Sequence, residues 1–425
     1  MAILAPFEAV IYNQDVVGDM SAVICPPYDI ISGDRQKQLL ASNPYNLIHM
    51  ELAEDIPGQD KYERAQTTLN DWLKDRILVR DPRPAVYFYS QEYSLKGEKR
   101  TRVGFLALLG LDKNKSAVFG HEHTHVEPKE DRLRLIRKVR ANLSPIFVIF
   151  ADKKKVIAQS LLPHIQGKRP FITVTDDEKT VHKLWRIDEP SVLEKIRGKM
   201  ETENIFIADG HHRYEVACAF RDEMQQALGE TSGNEGFNFV LAYFTNIDAL
   251  GLTVLPIHRL VKLDSRPDID GIIRSLDEHF SVEEVKDETR FFFLLAKAGV
   301  AEHVIGMHAD SRFWLVRLRN VKVLERLMSD KPAEYRALDV AILNALVLEK
   351  IFKLDLLDKR SLTFSAQTEE LLSTVKNDPA AIAFFLNPTK IDQIVNVALK
   401  GEKMPPKSTY FYPKVASGLV IHKHG

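Results

Sequence analysis

Apolar and polar positions alternate in two neighbouring segments of the chain, 85–94 and 102–111. This period of two predicts β-strands, and the polar turn Lys96-Gly97-Glu98 between them favours a hairpin. A period near 3.6 residues in 59–76 predicts a helix with its apolar residues on one face. These segments indicate a mixed α/β protein.

Further elements follow from apolar runs and from the residues that interrupt them. Pro128 is well placed to be the first residue of a helix over 128–141, because the first helical position needs no N–H donor. We expect a strand over 252–262, an amphipathic helix over 336–353 and a core strand over 381–386.

A short apolar run at 204–208 predicts a strand, and Asp209-Gly210-His211-His212-Arg213-Tyr214 then opens an amphipathic helix. Where a strand turns sharply into a helix, the first helical N–H groups and the helix dipole favour an anion. Arg213 and the two imidazoles lie where a phosphate would bind. The alternative is that Asp209 only caps the helix and that the histidines are surface residues.

Composition limits the other functions. The 425-residue length predicts two domains or three, and a net charge of −1 gives no sign of a general nucleic-acid or anionic-membrane binder. Cys25 and Cys218 cannot form a disulfide framework or a zinc-ribbon pattern. The sequence shows neither a signal-peptide pattern nor an apolar stretch of membrane-spanning length, so we expect a soluble, cytoplasmic protein.

A second polar cluster contains the motif His-Glu-x-x-His, at His121, Glu122 and His125. A zinc protease would need both histidines on one helix face, but Pro128 follows closely and the helix is expected to begin after the motif. Glu122 is a better candidate for a general base acting on a hydroxyl, or for holding a metal bound to phosphate. A hydrolase whose metal is held by His121, His123 or His125 stays open as an alternative, although we predict no resident metal.

Stiff loops and the C-terminal segment supply further candidates. Proline-containing loops hold polar side chains with little entropy to lose, and they predict a substrate-binding set. This set comprises Tyr28, Asp29, Asn46, His258 and Arg259. Lys407-Ser408-Thr409 resembles the end of a Walker A motif, but Met404-Pro405-Pro406 precedes it and prolines cannot donate to phosphate. A lysine and two hydroxyls reaching a phosphate remains an open possibility.

Residues 209–214 resemble the signature of sulfiredoxins and the phosphate-binding box of ParB-type proteins, a superfamily that includes free serine kinases. By this resemblance, Gly210, His212, Arg213 and Tyr214 fall on the nucleotide-binding signature. His211 falls where sulfiredoxins have their catalytic cysteine, so sulfinic-acid reduction is not expected.

Across nearly its full length the chain is also similar to a bacterial and archaeal family filed as a domain of unknown function. The shared landmarks are 26–29, 43–46, 121–124, 209–215, 256–259 and 407–414.

These observations predict an α/β (α+β) fold with a ParB/sulfiredoxin-like nucleotide-binding core and additional α/β lobes. The expected segments are an N-terminal lobe at 1–115, the core at 116–263, an inserted subdomain at 264–330 and a C-terminal segment closing the site at 331–425.

The leading functional hypothesis is a nucleotide-dependent phosphotransferase acting on a small hydroxyl metabolite, with free L-serine as one candidate. ATP or ADP and Mg²⁺ are the expected cofactors. Glu122, Asp209 and His211 are the catalytic candidates, with Glu122 or His211 taking the hydroxyl proton and Lys407 neutralising charge. A ParB-like nucleotide switch without turnover is the alternative. Nucleic acid is not an expected partner, no membrane is expected, and a homodimer is compatible with the sequence.

Overall fold

The computed structural model describes residues 1–111, 117–124, 126–229, 231–356, 358 and 360–425, and it confirms the α/β class. The described strands are β1 Leu4–Ala5, β2 Val10–Tyr12, β3 Leu78–Arg80, β4 Val86–Leu95, β5 Glu98–Gly110, β6 Val118–Phe119, β7 Ala141–Asn142, β8 Ile146–Phe150, β9 Ile172–Thr175, β10 Val181–Ile187, β11 Ile205–Asp209, β12 Phe239–Asn246, β13 Thr253–Leu255, β14 His258–Lys262, β15 Phe280–Val285, β16 Val304–Ala309, β17 Arg312–Leu318, β18 Leu362–Ser365, β19 Ala381–Phe385, β20 Tyr410–Tyr412 and β21 His422–Lys423.

The described α-helices are α1 Gln14–Val17, α2 Gly33–Ser42, α3 Ile48–Glu51, α4 Lys61–Lys74, α5 Val126–Val139, α6 Val156–Ile165, α7 Pro190–Met200, α8 His211–Leu228, α9 Ile269–Leu276, α10 Glu288–Ala298, α11 Lys322–Leu327, α12 Ala333–Arg336, α13 Asp339–Ile342, α14 Thr368–Asn377 and α15 Ile391–Leu399. Short 3-10 turns cover Met20–Ala22, Tyr28–Ile30 and Gly236–Asn238, and Leu343–Glu349 forms a π-helix.

The chain divides into two compact units. The first unit comprises residues 1–120, 124–252 and 413–425, and the second comprises 121–123 and 253–412. Strands from the predicted N-terminal lobe and from the predicted core lie together in one sheet of the first unit. The division into four segments stays a prediction.

A mixed sheet forms the centre of the first unit. Its order is β6-β11-β8-β12-β5-β4-β10-β9, with β1 paired to β5, which makes nine strands among the described residues. β8 and β12 run parallel, as do β6 and β11, whereas β4 and β5 form the predicted antiparallel hairpin. Apolar residues from these strands form the core, in which the rings of Phe105 and Phe244 stack at 4.9 Å.

The second unit contains a sheet of its own, in the order β15-β17-β16-β19-β14-β18. Phe291, Phe313 and Phe385 lie in its core and pack against one another. A separate pair of strands, β13 and β20, joins Thr253–Leu255 to Tyr410–Tyr412 in antiparallel register.

Three sequence predictions need correction. The strand over 252–262 is two strands, β13 and β14, because Pro256 lacks the N–H that would continue the ladder. The helix over 336–353 is broken at Leu338, which is extended and buried, and it ends in a π-helix. α5 begins at Val126, so Pro128 is its third residue rather than its first.

In the part of the chain that the structure describes, no helix combines the length and the apolar character needed to cross a membrane.

The C-terminal strand β21 provides a test of acid stability. His422 is buried and its Nε2 donates a hydrogen bond of 3.0 Å to the Gly236 carbonyl, and burial lowers its pKa from 6.5 to about 4. The folded protein therefore keeps His422 neutral at pH values where the unfolded chain is protonated. Stability contributed by the neutral ring is complete above pH 6.5 and is lost as pH falls toward 4.

We expect wild-type protein to lose about 3 kcal/mol more unfolding free energy than His422→Asn between pH 7 and 4. Urea denaturation at several pH values measures the difference. The matched control is the same substitution at His164, whose side chain is 28% exposed and for which we expect no such difference. Parallel pH curves for wild type and His422→Asn would contradict the prediction.

Candidate phosphate-binding site

The predicted strand–turn–helix is present. β11 ends at Asp209, α8 begins at His211, and Gly210 between them has a left-handed φ of +88°. A Cβ atom at Gly210 would lie 3.1 Å from both the Arg213 guanidinium and the Ile146 side chain. The left-handed backbone therefore favours glycine at this corner, and a Cβ atom would also crowd the Arg213 side chain.

Asp209 holds two cationic side chains at this corner. Its carboxylate accepts a hydrogen bond of 2.6 Å from Arg213 Nη2 and one from Lys414 Nζ. Arg213 Nη1 also donates to the Pro145 carbonyl, and all three charged side chains are at most 15% exposed. Burial by itself would raise the pKa of Asp209, but the charges of Lys414 and Arg213 hold that pKa well below its usual range. One carboxylate thus fixes two cations.

Buried residues on the hairpin position Lys414. Gln91 Nε2 donates to the Lys414 carbonyl at 2.9 Å, and Arg102 Nη2 donates to the Pro413 carbonyl at 2.6 Å. Arg102 is itself fully buried, bonds to Gln91 Oε1 at 3.0 Å and lies 4.5 Å from the centre of the Phe147 ring. The C-terminal segment is therefore tied to the sheet immediately before and at Lys414.

A small cleft, with a cavity volume of about 50 Å³, lies beside Arg213 in the first unit. Its polar lining consists of Glu51, Arg132, Asn142, Ser144 and Arg213.

Arg132 is held in the cleft by Asp131, at 2.5 Å, and by the carbonyl of Glu51. Its guanidinium also lies 4.5 Å from the centre of the Tyr28 ring. Burial raises the pKa of Tyr28 to about 12, against the opposing charge of Arg213, so the phenol stays neutral. Two planar guanidinium groups consequently line the same small space.

The next turn of α8 carries another polar contact. Glu215 Oε2 accepts hydrogen bonds from Thr124 Oγ1 at 2.5 Å and from Lys129 Nζ at 3.1 Å. These contacts join α8 to the start of α5 within the first unit. The Glu215 carboxylate is therefore also paired with a cation, Lys129.

Other predicted residues of the first unit have different surroundings. His211 and Tyr214 are 4% and 5% exposed, and Tyr214 belongs to the hydrophobic core. His212 is half-buried and Asp29 is exposed. Asn46 is buried, and its side-chain amide donates to the Ala22 and Ile24 carbonyls, so it fixes the backbone that leads into α3.

The remaining predicted residues lie in the second unit. They are Glu122, His258, Arg259, Lys407, Ser408 and Thr409. His258 Nδ1 accepts from Leu386 N at 3.2 Å, and its Nε2 lies 3.2 Å from Thr368 Oγ1. Thr409 Oγ1 lies 3.2 Å from His121 Nε2.

His125, the last residue of the His-Glu-x-x-His motif, lies outside the described residues. Within the described ranges, no group of three or more histidine, cysteine, aspartate and glutamate side chains is arranged to hold a metal ion. α5 begins at Val126, after Glu122, so His121 and Glu122 precede the helix.

Residues 4–341 match a family model described as a protein of unknown function, DUF1015. The chain belongs to this DUF1015 family. The resemblance to a family of unknown function is thereby confirmed. A comparison of this DUF1015 protein with curated protein sequences gives no match.

Several solved structures are similar to this DUF1015 protein, and three of them have the following identities, TM-scores and coverages. A conserved hypothetical protein from Pyrococcus furiosus has 12% identity and a TM-score of 0.33, over 73% of this chain and 92% of that one. A free serine kinase variant in complex with ADP has 12% identity and a TM-score of 0.35, over 73% and 88%. C-terminally truncated SbnI from Staphylococcus aureus has 14% identity and a TM-score of 0.37, over 74% and 86%. These scores are too low to indicate function.

Sequence reasoning does not single out Glu51 or Lys414 of this DUF1015 protein as site residues. Lys414 is the last residue of the C-terminal landmark 407–414, and this position in a shared motif is the sequence feature that could have identified it as a site residue. Glu51 lies five residues after Asn46, and no local pattern distinguishes it from a surface acid. Both reach the corner through contacts between residues far apart in sequence.

Proposed function

We propose that this protein is a nucleotide-dependent phosphotransferase that acts on the hydroxyl group of a small metabolite. The observation that carries the proposal is the cleft in the first unit, which the guanidinium groups of Arg132 and Arg213 line together. Planar guanidinium groups match pairs of phosphate oxygens and stay charged at every physiological pH. The resemblance of 209–214 to a superfamily with free serine kinases makes L-serine the first acceptor to test.

Phosphoryl transfer depends mainly on positioning and on stabilising negative charge, and the corner supplies both. Asp209 fixes Arg213 and Lys414, so little side-chain entropy is lost when a phosphate arrives. The N-terminal end of α8 adds the positive end of a helix dipole. The proposed phosphate ligands are therefore Arg132, Arg213 and the first turn of α8, with His212 retained from the sequence prediction.

The acceptor hydroxyl must lose a proton, and carboxylates near the cleft could take it. Glu51 lines the cleft and is buried, while Asp29 is exposed and its charge acts on Arg213. Glu122, predicted from sequence for this role, belongs to the second unit and stays a prediction, as does His211. Glu51→Gln and Asp29→Asn would identify the acting group by their loss of turnover.

ATP or ADP is the proposed phosphoryl donor, with Mg²⁺ bound to its phosphates. Mg²⁺ commonly keeps several waters and takes only one or two protein carboxylates in nucleotide sites. A dedicated cage of side chains is therefore not required, and Glu51 at the cleft can supply one oxygen ligand if the base is Asp29.

The test is nucleotide binding and product formation by wild type and Arg213→Ala. ATP or ADP should raise the melting temperature of the wild-type protein. The wild-type protein should also phosphorylate at least one member of a panel of hydroxy amino acids. Arg213→Ala should weaken nucleotide binding by about 10- to 100-fold, since a charge-assisted bidentate contact is worth about 1.5–3 kcal/mol. Isothermal titration calorimetry and mass spectrometry of the products measure these outcomes.

The matched control is Arg134→Ala, an arginine on α5 whose side chain is 57% exposed. It should bind nucleotide as wild type does. Nucleotide binding without any product would favour the regulatory switch, and a metal-dependent hydrolysis product would favour the hydrolase. Unchanged nucleotide affinity in Arg213→Ala, with no phosphorylated product from wild type, would overturn the proposal.

A further inference from the structure

Arg259 in the second unit is a buried cation without an ionic partner. It lies on β14, between β18 and β19, and it is 1% exposed. Among the residues that the structure describes, no carboxylate lies within salt-bridge distance of it. Burial lowers its pKa to about 9, and no neighbouring acid opposes that effect.

The contacts that Arg259 does make are to neutral groups. Its Nη1 donates to the Ile257 carbonyl, and its Nη2 lies 3.4 Å from the Pro406 carbonyl, at the limit of a hydrogen bond. The guanidinium carbon lies 5.2 Å from the centre of the Phe364 ring. Nε is buried and has no hydrogen-bond partner.

A buried guanidinium group without a counter-ion lowers the stability of the folded protein. A buried charge normally has a counter-ion and a full set of hydrogen bonds, because removing an ion from water costs several kcal/mol. Arg259 has no counter-ion among the described residues, and its Nε donor has no hydrogen-bond partner there. The missing partner is therefore expected to be an anion that the folded protein binds.

The segment 405–407 contacts Arg259 through the Pro406 carbonyl and reaches the protein surface at Lys407. Pro406 is half-buried and the next residue, Lys407, is exposed with a left-handed φ of +57°. Pro405 and Pro406 have no N–H groups, so these two residues offer carbonyl oxygens and no donors. An anion replacing the weak Pro406 contact would bind Arg259, and Lys407, the residue after Pro406, adds an exposed positive charge to the same segment.

The segment itself is well anchored. Ser408 Oγ donates to the Pro405 carbonyl at 2.5 Å, and Thr389 Oγ1 donates to the Ser408 carbonyl at 2.8 Å. Met404 N donates to the His121 carbonyl at 2.7 Å. Because the residues on both sides are held by these hydrogen bonds, only Pro406 and Lys407 would need to move when a ligand binds.

We propose that Arg259 and Lys407 form a second anion site, within the second unit, that binds a carboxylate or phosphate group of a small molecule. This site shares no residue with the proposed nucleotide site, and it does not depend on that proposal. The same chemistry could serve a free phosphate, a phosphate monoester or the carboxylate of an amino acid.

The test compares Arg259 with Arg259→Met in the full chain, both in an Arg213→Ala background that weakens the first anion site. Sodium phosphate, O-phosphoserine and L-serine are titrated separately against sodium chloride of equal ionic strength. We expect at least one probe to raise the melting temperature with Arg259 present and none to do so in Arg259→Met. An effect of sodium phosphate indicates the phosphate group and an effect of L-serine indicates the carboxylate, whereas an effect of O-phosphoserine alone shows that both groups are needed.

The melting temperature without ligand separates a binding role from a structural one. If Arg259 serves a ligand, methionine removes an uncompensated buried charge and the unliganded protein should melt no lower than its Arg259 parent. Arg266→Met, whose arginine is 66% exposed, controls for the loss of one positive charge. A marked loss of thermal stability in Arg259→Met without any anion effect in the parent would show a structural role and overturn the proposal.

Lys407→Met provides a second variant that cannot fail through core disruption, because Lys407 is exposed. It should weaken binding of the active probe by about 2- to 5-fold, the size expected for a surface charge contact. Unchanged affinity in Lys407→Met, or an anion effect that persists in Arg259→Met, would likewise overturn the proposal.

Discussion

Arg102→Met is expected to lower the unfolding free energy by about 3–5 kcal/mol. The methionine would fill much of the same volume but would leave Gln91 Oε1 and the Pro413 carbonyl, both now bonded to Arg102, without their donor. Each unsatisfied buried acceptor costs about 1–3 kcal/mol. The guanidinium contacts with the Phe147 and Tyr243 rings would also be lost.

The same substitution should weaken nucleotide binding, because the Pro413 carbonyl precedes Lys414. Urea denaturation measures the stability loss, and calorimetric titration at a temperature where the variant is folded measures the affinity. Arg100→Met is the matched control, on the same strand but with a side chain 36% exposed. A loss below 1 kcal/mol for Arg102→Met would contradict the assigned role of Arg102.

Asp209→Asn should have an effect of similar size. Asparagine keeps the shape of the side chain but leaves Lys414 and Arg213 buried without their counter-charge. Removing one partner of a buried ionic cluster typically costs about 3–5 kcal/mol. Nucleotide binding should fall as well, since neither cation would be held in place.

The pH dependence of this loss follows from the depressed pKa of Asp209. A carboxyl group whose folded pKa is lowered stabilises the fold fully above its unfolded pKa and loses that contribution as pH falls through the folded value. The stability difference between wild type and Asp209→Asn should thus be largest near neutral pH and should shrink below about pH 4.

Asp34→Asn, at a carboxylate 94% exposed on α2, is the control and should change stability by less than about 0.5 kcal/mol. Equal losses for both variants, or a difference that grows in acid, would show that Asp209 does not bind the two cations as the structure indicates.

Local patterns predicted the elements that short-range physics governs. The 86–110 hairpin follows from alternation around a polar turn, and the β11–Gly210–α8 corner follows from an apolar run that ends in Asp-Gly. The broken strand at Pro256 was recoverable from the same rules, because proline cannot donate to a ladder. Nothing local predicted the extended residue Leu338, which is set by its burial.

The candidate site divides in the same way. The motif at 209–214 showed where an anion could bind, yet its residues have unequal surroundings: Arg213 lines the cleft, whereas Tyr214 packs in the core. A hexapeptide cannot reveal that difference, because burial depends on what the rest of the chain places beside each side chain. Glu51 and Arg132 share the cleft only through the packing of distant segments.

By itself, the sequence determined the α/β class, the strand–turn–helix corner and the residue types that could bind phosphate, because propensity and periodicity act within a few residues. The tertiary structure decided that Asp209 engages both Arg213 and Lys414, which are separated by about two hundred positions of chain. It also decided that Arg259 is buried with no acid beside it in the part of the chain that the structure describes. Electrostatic partners are chosen by distance in space, and only the folded chain fixes that distance.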